Sequence, residues 1–219
     1  MSDNDIAKHR IYRELRRSII VGRREPGDRL NMAELAALYS TSITPVRDAL
    51  QMLSQEGLVT IKARSGYFVS RLTLKELHDL LELREILEMA SVERAAGRIS
   101  TEQLEQLAHV HAGYTGDDDE SYDRYTDENR TFHCLLAEAS GNQQLAEMLG
   151  RLHDRLARFM VIRQAGLAME GSHARIIEAL RAGDGAAARQ AMYDELAETR
   201  ERVLDYVIRK EGATWHLDA

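Results

Sequence analysis

The chain has 219 residues, 44% hydrophobic and 30% charged, with a formal net charge of −7. That balance suits a soluble, folded protein, and no apolar run is long enough to cross a bilayer. A single cysteine, Cys134, excludes an internal disulfide and a thiolate metal cluster.

The length predicts two domains rather than one. The N-terminus, MSDNDIAKHRIYREL, lacks the apolar core of a signal peptide, so a cytoplasmic location is expected. Two prolines and three phenylalanines argue for long helices over a β-sandwich. The charge is uneven: residues 1–70 carry a balance of +3 and the remainder −10. A basic part that meets a polyanion and an acidic part that does not would produce this pattern.

The first helix is marked by Ile11, Leu15, Ile19 and Ile20 at helical spacing, with Arg10, Arg13, Arg16 and Arg17 around them. Pro26-Gly27 then signals a turn. Asn31 stands as an N-cap for NMAELAALY, and Glu34 completes a capping-box pattern. The polar turn STSIT leads to TPVRDALQML, with Val46, Ala49, Leu50 and Leu53 on one face. Pro45 fits the first helical position, where its missing N–H costs nothing. Thr44 before it is placed to cap, a contact worth about 1 kcal/mol.

Two short helices around a tight turn form a helix-turn-helix, whose second helix enters the major groove by its N-terminal end. Ser42, Thr44, Pro45 and Arg47 cluster at that end, with hydroxyls suited to phosphates and an arginine suited to a guanine edge or a phosphate. Past Gly57, residues 58–61 and 67–69 read as a hairpin, a wing carrying Lys62, Arg64 and Gly66 toward the DNA backbone or minor groove.

From Thr73 onward helical patterns alternate with short breaks. The first, 74–98, sets Arg84 among Leu77, Leu80, Leu81 and Leu87. An arginine there requires a partner, because leaving it unpaired would cost several kcal/mol. Glu88 could supply an internal pair, or the arginine could anchor a ligand carboxylate bidentately. A second helix spans 101–112, and 113–123 reads as a loop. Helices follow over 127–140, 143–164 and 172–182, with Gly183 as a stop and Asp184 as the cap of the last, 186–210. Asn129 and His133, four apart, share a face, and His173 lies on the stripe of Ile176, Ile177 and Leu180. Two such histidines are either satisfied core residues or the start of a metal site.

The motifs PGDRL (26–30), ELAALYSTSITPVRDAL (34–50), LSQEGLV (53–59) and SGYFV (65–69) resemble the winged helix of GntR-family transcriptional regulators. LREILE (83–88), FHCLLAEASGN (132–142), SHARIIEALRAGD (172–184) and AAARQAMYDEL (186–196) resemble the helical ligand-sensing FCD domain of the FadR subfamily. The resemblance implies a mainly α protein. Residues 1–71 would be a winged helix-turn-helix DNA-binding domain with a small β-hairpin, and 72–219 an antiparallel all-α bundle for effector binding and dimerisation.

It assigns operator reading to Arg47. Ile43 and Ala33 stand where many members carry arginine, which implies an unusual operator or weaker binding per half-site. Many members hold a divalent metal with an Asp, a His four residues on, and two further histidines. Carried over, those positions are Asn129, His133, His173 and Glu195. The donor set remains two nitrogens and two oxygens, open to Zn, Ni or Mn. Other members bind effector without metal. The fitting effector is a small organic acid held beside Arg84. The expectation is therefore a homodimeric regulator of a pseudo-palindromic operator on double-stranded DNA, a repressor released by effector. A metal-ion sensor and a helical metalloenzyme are the competing readings. The second finds no HExxH, phosphate loop or nucleophile motif to support it.

Overall fold

The computed structural model describes residues 3–110, 119–160 and 166–211. The chain divides into two units, Met1–Leu72 and Thr73–Ala219.

The first unit holds α1 (Asp3–Ile20), β1 (Arg29–Leu30), α2 (Met32–Leu38), α3 (Ile43–Gln55), β2 (Val59–Lys62) and β3 (Gly66–Val69). The three strands form one antiparallel sheet in the order β1-β3-β2. Leu30 pairs with Tyr67, and Thr60 with Phe68. The wing hairpin was legible in the sequence; the two-residue β1 was too short to give an alternation. Ile11, Leu15, Val46, Leu50 and Leu53 interlock in an apolar core that joins α1 to α3. Each such burial contributes about 1.5–3 kcal/mol.

Asn31 caps α2 by accepting from the Ala33 N–H at 2.9 Å. Glu34 answers through the Asn31 side-chain amide rather than its backbone. Helix α3 begins two residues earlier than Pro45 suggests. Ser42 is the N-cap, without a side-chain capping bond, and Thr44 is already helical. Pro45 is therefore the third helical residue. It is tolerated because the first N–H groups of any helix lack partners. The turn between α2 and α3 bends at Ser40, whose φ of 51° is left-handed and unusual for a non-glycine.

The second unit is helical: α4 (Leu74–Ala95), α5 (Thr101–His109), α6 (Asp119–Ala139), α7 (Gln143–Met160), α8 (Gly166–Arg181) and α9 (Gly185–Glu211). Thr73 and Glu76 close a capping box on α4, and Ser100 and Gln103 do so on α5. Asp184 caps α9 through the Ala187 N–H at 2.9 Å, after Gly183 ends α8 at φ 68°. Helix α6 starts at Asp119, inside the stretch read as loop. Acidic residues are favoured in a first helical turn, so their polarity did not exclude a helix. The part of that loop at 113–118, the expected end of the second helix at 111–112, and the end of the fourth at 161–164 lie outside the described residues. Helix α4 packs against α6, α7 and α9, and α8 against α5 and α9. One face of α4 thereby becomes the interior wall of the bundle.

Candidate functional site

Two surfaces of different character emerge. On the first unit, the apolar face of α3 is spent on the core, which leaves Ser42, Ile43, Thr44 and Arg47 exposed at its leading end. Pro45 is buried, so it shapes the start of the helix and does not face outward. Lys62 and Arg64 are exposed on the wing, and Gly66 is half-buried. Lys62 Nζ rests 4.9 Å from the centre of the Phe68 ring. Arg64 holds a left-handed φ of 61° and Gly66 one of 106°, the tight reversal that projects the wing tip.

Inside the second unit lies a polar cluster with almost no solvent contact. Arg84 and Glu88, one turn apart on α4, are 1% and 0% exposed. Asn129 and His133 enter from α6, His153 from α7, His173 from α8 and Glu195 from α9, all buried. The structure thus brings together Arg84 and three of the expected ligand positions, His133, His173 and Glu195, while Asn129 is buried one turn before His133 on α6. Both sequence-level alternatives for Arg84 meet here, since its Nε lies 3.4 Å from Glu88 Oε1 and its Nη2 3.3 Å from Glu195 Oε1.

The geometry sets the tautomer of His133. Arg84 Nη2 is 3.1 Å from His133 Nε2. A guanidinium only donates, so Nε2 accepts and the ring proton sits on Nδ1. That Nδ1 lies 2.9 Å from Glu88 Oε1. The same carboxylate oxygen is 2.8 Å from His153 Nε2. Burial pushes the Glu88 carboxyl up, but the adjacent His133 and the His153 bond outweigh it and hold it well below the usual carboxylate range. Burial lowers His153 to about 4, against the pull of Glu88 in the other direction. A carboxylate behind one imidazole nitrogen, with the other nitrogen presented as an acceptor, is the arrangement that backs a metal-ligating histidine.

Ligand atoms of His133, His173 and Glu195 lie within 4.8 Å of one another. Glu88, His133 and His153 form a second such group through the other face of His133. Asn129 Oδ1 and Glu195 Oε2 are buried without a hydrogen-bond partner among the described residues. Oxygens in that state cost free energy unless something meets them, and a divalent ion would be such a partner. The residues present therefore fit a cation. The His173 ring stacks on Phe132 at 3.8 Å and 4°, which fixes its plane. Reading the sequence missed His153. It falls on the stripe of Leu149, Leu152 and Leu156, and that was the available signal. Cys134, beside His133 in sequence, has its thiol pushed up by burial to about 11 and is inert at neutral pH.

A helix-turn-helix with a wing on one unit, and a buried polar site inside a second, define a DNA-binding transcription regulator. Residues 7–69 match the model of bacterial regulatory proteins of the gntR family, and residues 79–198 match the FCD domain. The chain is 30% identical over 198 residues to the HTH-type transcriptional repressor GlaR of Escherichia coli, covering 84% of this chain and 90% of that one. It is 28% identical over 218 residues to the repressor RspR of the same organism, covering 94% and 91%. The fold of E. coli McbR/YncC superposes with a TM-score of 0.74 at 21% identity, over 94% of this chain and 99% of that one.

The chain belongs to the GntR family, in its FadR-type branch with an FCD domain. These are regulators that bind DNA operators, not enzymes, which sets the metalloenzyme reading aside. No helix among the described residues is long and apolar enough to cross a membrane.

Proposed function

We propose that the chain is a cytoplasmic homodimeric repressor that senses a small organic carboxylate in the helical unit and releases a pseudo-palindromic operator in response. The observation that carries this reading is the buried group of one arginine, two carboxylates and three histidines. Arg84 against Glu88 and Glu195 leaves one negative charge in excess. A divalent ion held by Asn129, His133, His173 and Glu195 reverses that to one positive. A monocarboxylate then restores neutrality, as buried charge requires. The ion, Zn²⁺, Ni²⁺ or Mn²⁺, supplies Lewis-acid affinity for the carboxylate. Arg84 Nη2 currently faces His133 Nε2 and Glu195 Oε1. With those two atoms engaged elsewhere, the guanidinium can turn to clamp the carboxylate in two-pronged fashion.

The DNA side rests on Ser42, Thr44 and Arg47 at the leading end of α3, shaped by Pro45, with Lys62, Arg64 and Gly66 on the wing. One such winged helix reads a half-site, so two copies serve a full operator. The outer face of α4 suits a second copy: Leu83 and Ile86 are 39% and 59% exposed, with the half-buried Leu87 and Ala90 continuing the stripe. Effector acts by favouring one of two arrangements of the dimer.

The test is metal analysis of the purified full-length protein, followed by operator anisotropy with added ion and a panel of small acids. The expected result is release by one acid, lost in Arg84→Ala. Release by the ion alone supports the metal-sensor reading instead. No response to either overturns both.

A further inference from the structure

We propose that Ile43 is a base-reading residue, and that each operator half-site carries a thymine whose 5-methyl group packs against it. The inference starts from how α3 divides its surface. Val46, Ala49, Leu50 and Leu53 are wholly buried in the core of the first unit. The opposite face presents Ile43, Arg47 and Gln51 at intervals of four, all exposed. Ile43 is the first residue of the helix and is 44% exposed. A β-branched residue is not favoured there by helix propensity, and it makes no cap. The core does not claim it fully, and the residues beside it, Ser42 and Thr44, are exposed and polar.

Residues four apart on a helix are surface neighbours. Whatever base edge Arg47 meets, Ile43 faces a nearby one. Arginine reads the two acceptors of guanine, whereas isoleucine offers neither donor nor acceptor. The thymine methyl is the one apolar feature on the major-groove edge of B-DNA. Four residues rise about 6 Å along the helix, and bases on one strand are spaced about 3.4 Å, so the thymine lies one or two steps from the base read by Arg47. The helix is thus a two-letter reader, with one position set by hydrogen bonds and the other by hydrophobic contact.

The experiment selects operators from a random duplex library with full-length wild type and with Ile43→Ala. Anisotropy then follows on the selected site with that thymine replaced by uracil, which removes only the methyl. Wild type should enrich a thymine at a fixed position in each half-site and bind the uracil duplex about fourfold more weakly, the equivalent of one buried carbon. Ile43→Ala should enrich the same motif without the thymine and bind both duplexes equally. Equal binding of the two duplexes by wild type, or a thymine preference that survives in Ile43→Ala, overturns the inference. A wild type that enriches no motif overturns the DNA-binding role of α3 itself, and this inference with it.

Discussion

The two units use burial in opposite ways. The first seals an apolar core around Ile11, Leu15, Val46 and Leu50 and displays its polar chemistry on α3 and the wing. The second places Arg84, Glu88, His133, His153, His173 and Glu195 in its interior. On the proposed function, the difference follows from the ligand each unit would meet. A duplex is a large, hydrated polyanion that a folded surface can approach from outside. A small acid presents too little area for surface contacts to hold it, so affinity requires a dry site with converging charges. The core of the first unit is closed by apolar side chains. The second holds buried oxygens at Asn129 and Glu195 that are unmatched among the described residues.

That contrast can be broken most severely at the histidines. His133→Ala with His173→Ala should abolish stoichiometric divalent-ion binding, read by elemental analysis. Operator affinity of the ion-free protein should stay within about twofold, since the two cores differ in kind. Retained ion would place the ligands elsewhere.

Next comes Arg84→Ala. Removing one partner of a buried charge network costs about 3–5 kcal/mol. Added Mn²⁺ or Zn²⁺ should recover much of it, because a cation takes over the carboxylates Arg84 leaves behind. The variant should bind the ion about tenfold more tightly than wild type by calorimetry, as a competitor for His133 Nε2 and Glu195 has gone. Weaker binding would mean Arg84 supports the ion and does not compete with it.

A pH titration sharpens the comparison further. His153 titrates near 4 in the folded chain against about 6.5 when unfolded. Between those values the unfolded state holds the extra proton. The His153 contribution is therefore complete above pH 6.5 and is lost as pH falls toward 4, about 3 kcal/mol in all. Glu88 adds to the loss at lower pH, because its carboxyl is held below the ordinary range when folded. Thermal melts should show the helical unit weakening over this range, and His153→Gln should flatten the dependence.

On the apolar-cored unit, expected effects are smaller. Arg47→Ala should cost about 1–3 kcal/mol of specific DNA affinity with no change in melting. An unchanged footprint would remove Arg47 from the interface. Ser40→Gly should stabilise the first unit by about 1 kcal/mol, since glycine adopts the left-handed turn without the side-chain penalty. Denaturant melts would read it, and a loss of stability would show that the serine side chain matters more than its backbone.

The sequence carried the elements well where one helix could be judged alone. Val46, Ala49, Leu50 and Leu53 announced the buried face of α3, and the pair Asn129 and His133 announced a shared face on α6. It misplaced the start of α3 because Pro45 suits several first-turn positions equally. It passed over His153 because a single histidine on an apolar stripe does not name its neighbour. That neighbour, Glu88, lies 65 residues away in the chain and 2.8 Å away in space.

Periodicity and capping residues thus determined the helix-turn-helix, the wing and the run of later helices by themselves, because those signals are local and repeat within one element, while the quoted motifs carried the resemblance to the family and its bundle. The convergence of side chains from α4, α6, α7, α8 and α9 on one dry point, and the proton on His133 Nδ1 that follows from it, were decided by tertiary packing alone. Helical spacing gives the direction of a side chain around its own axis, and only the packing of helices against each other says what it meets there.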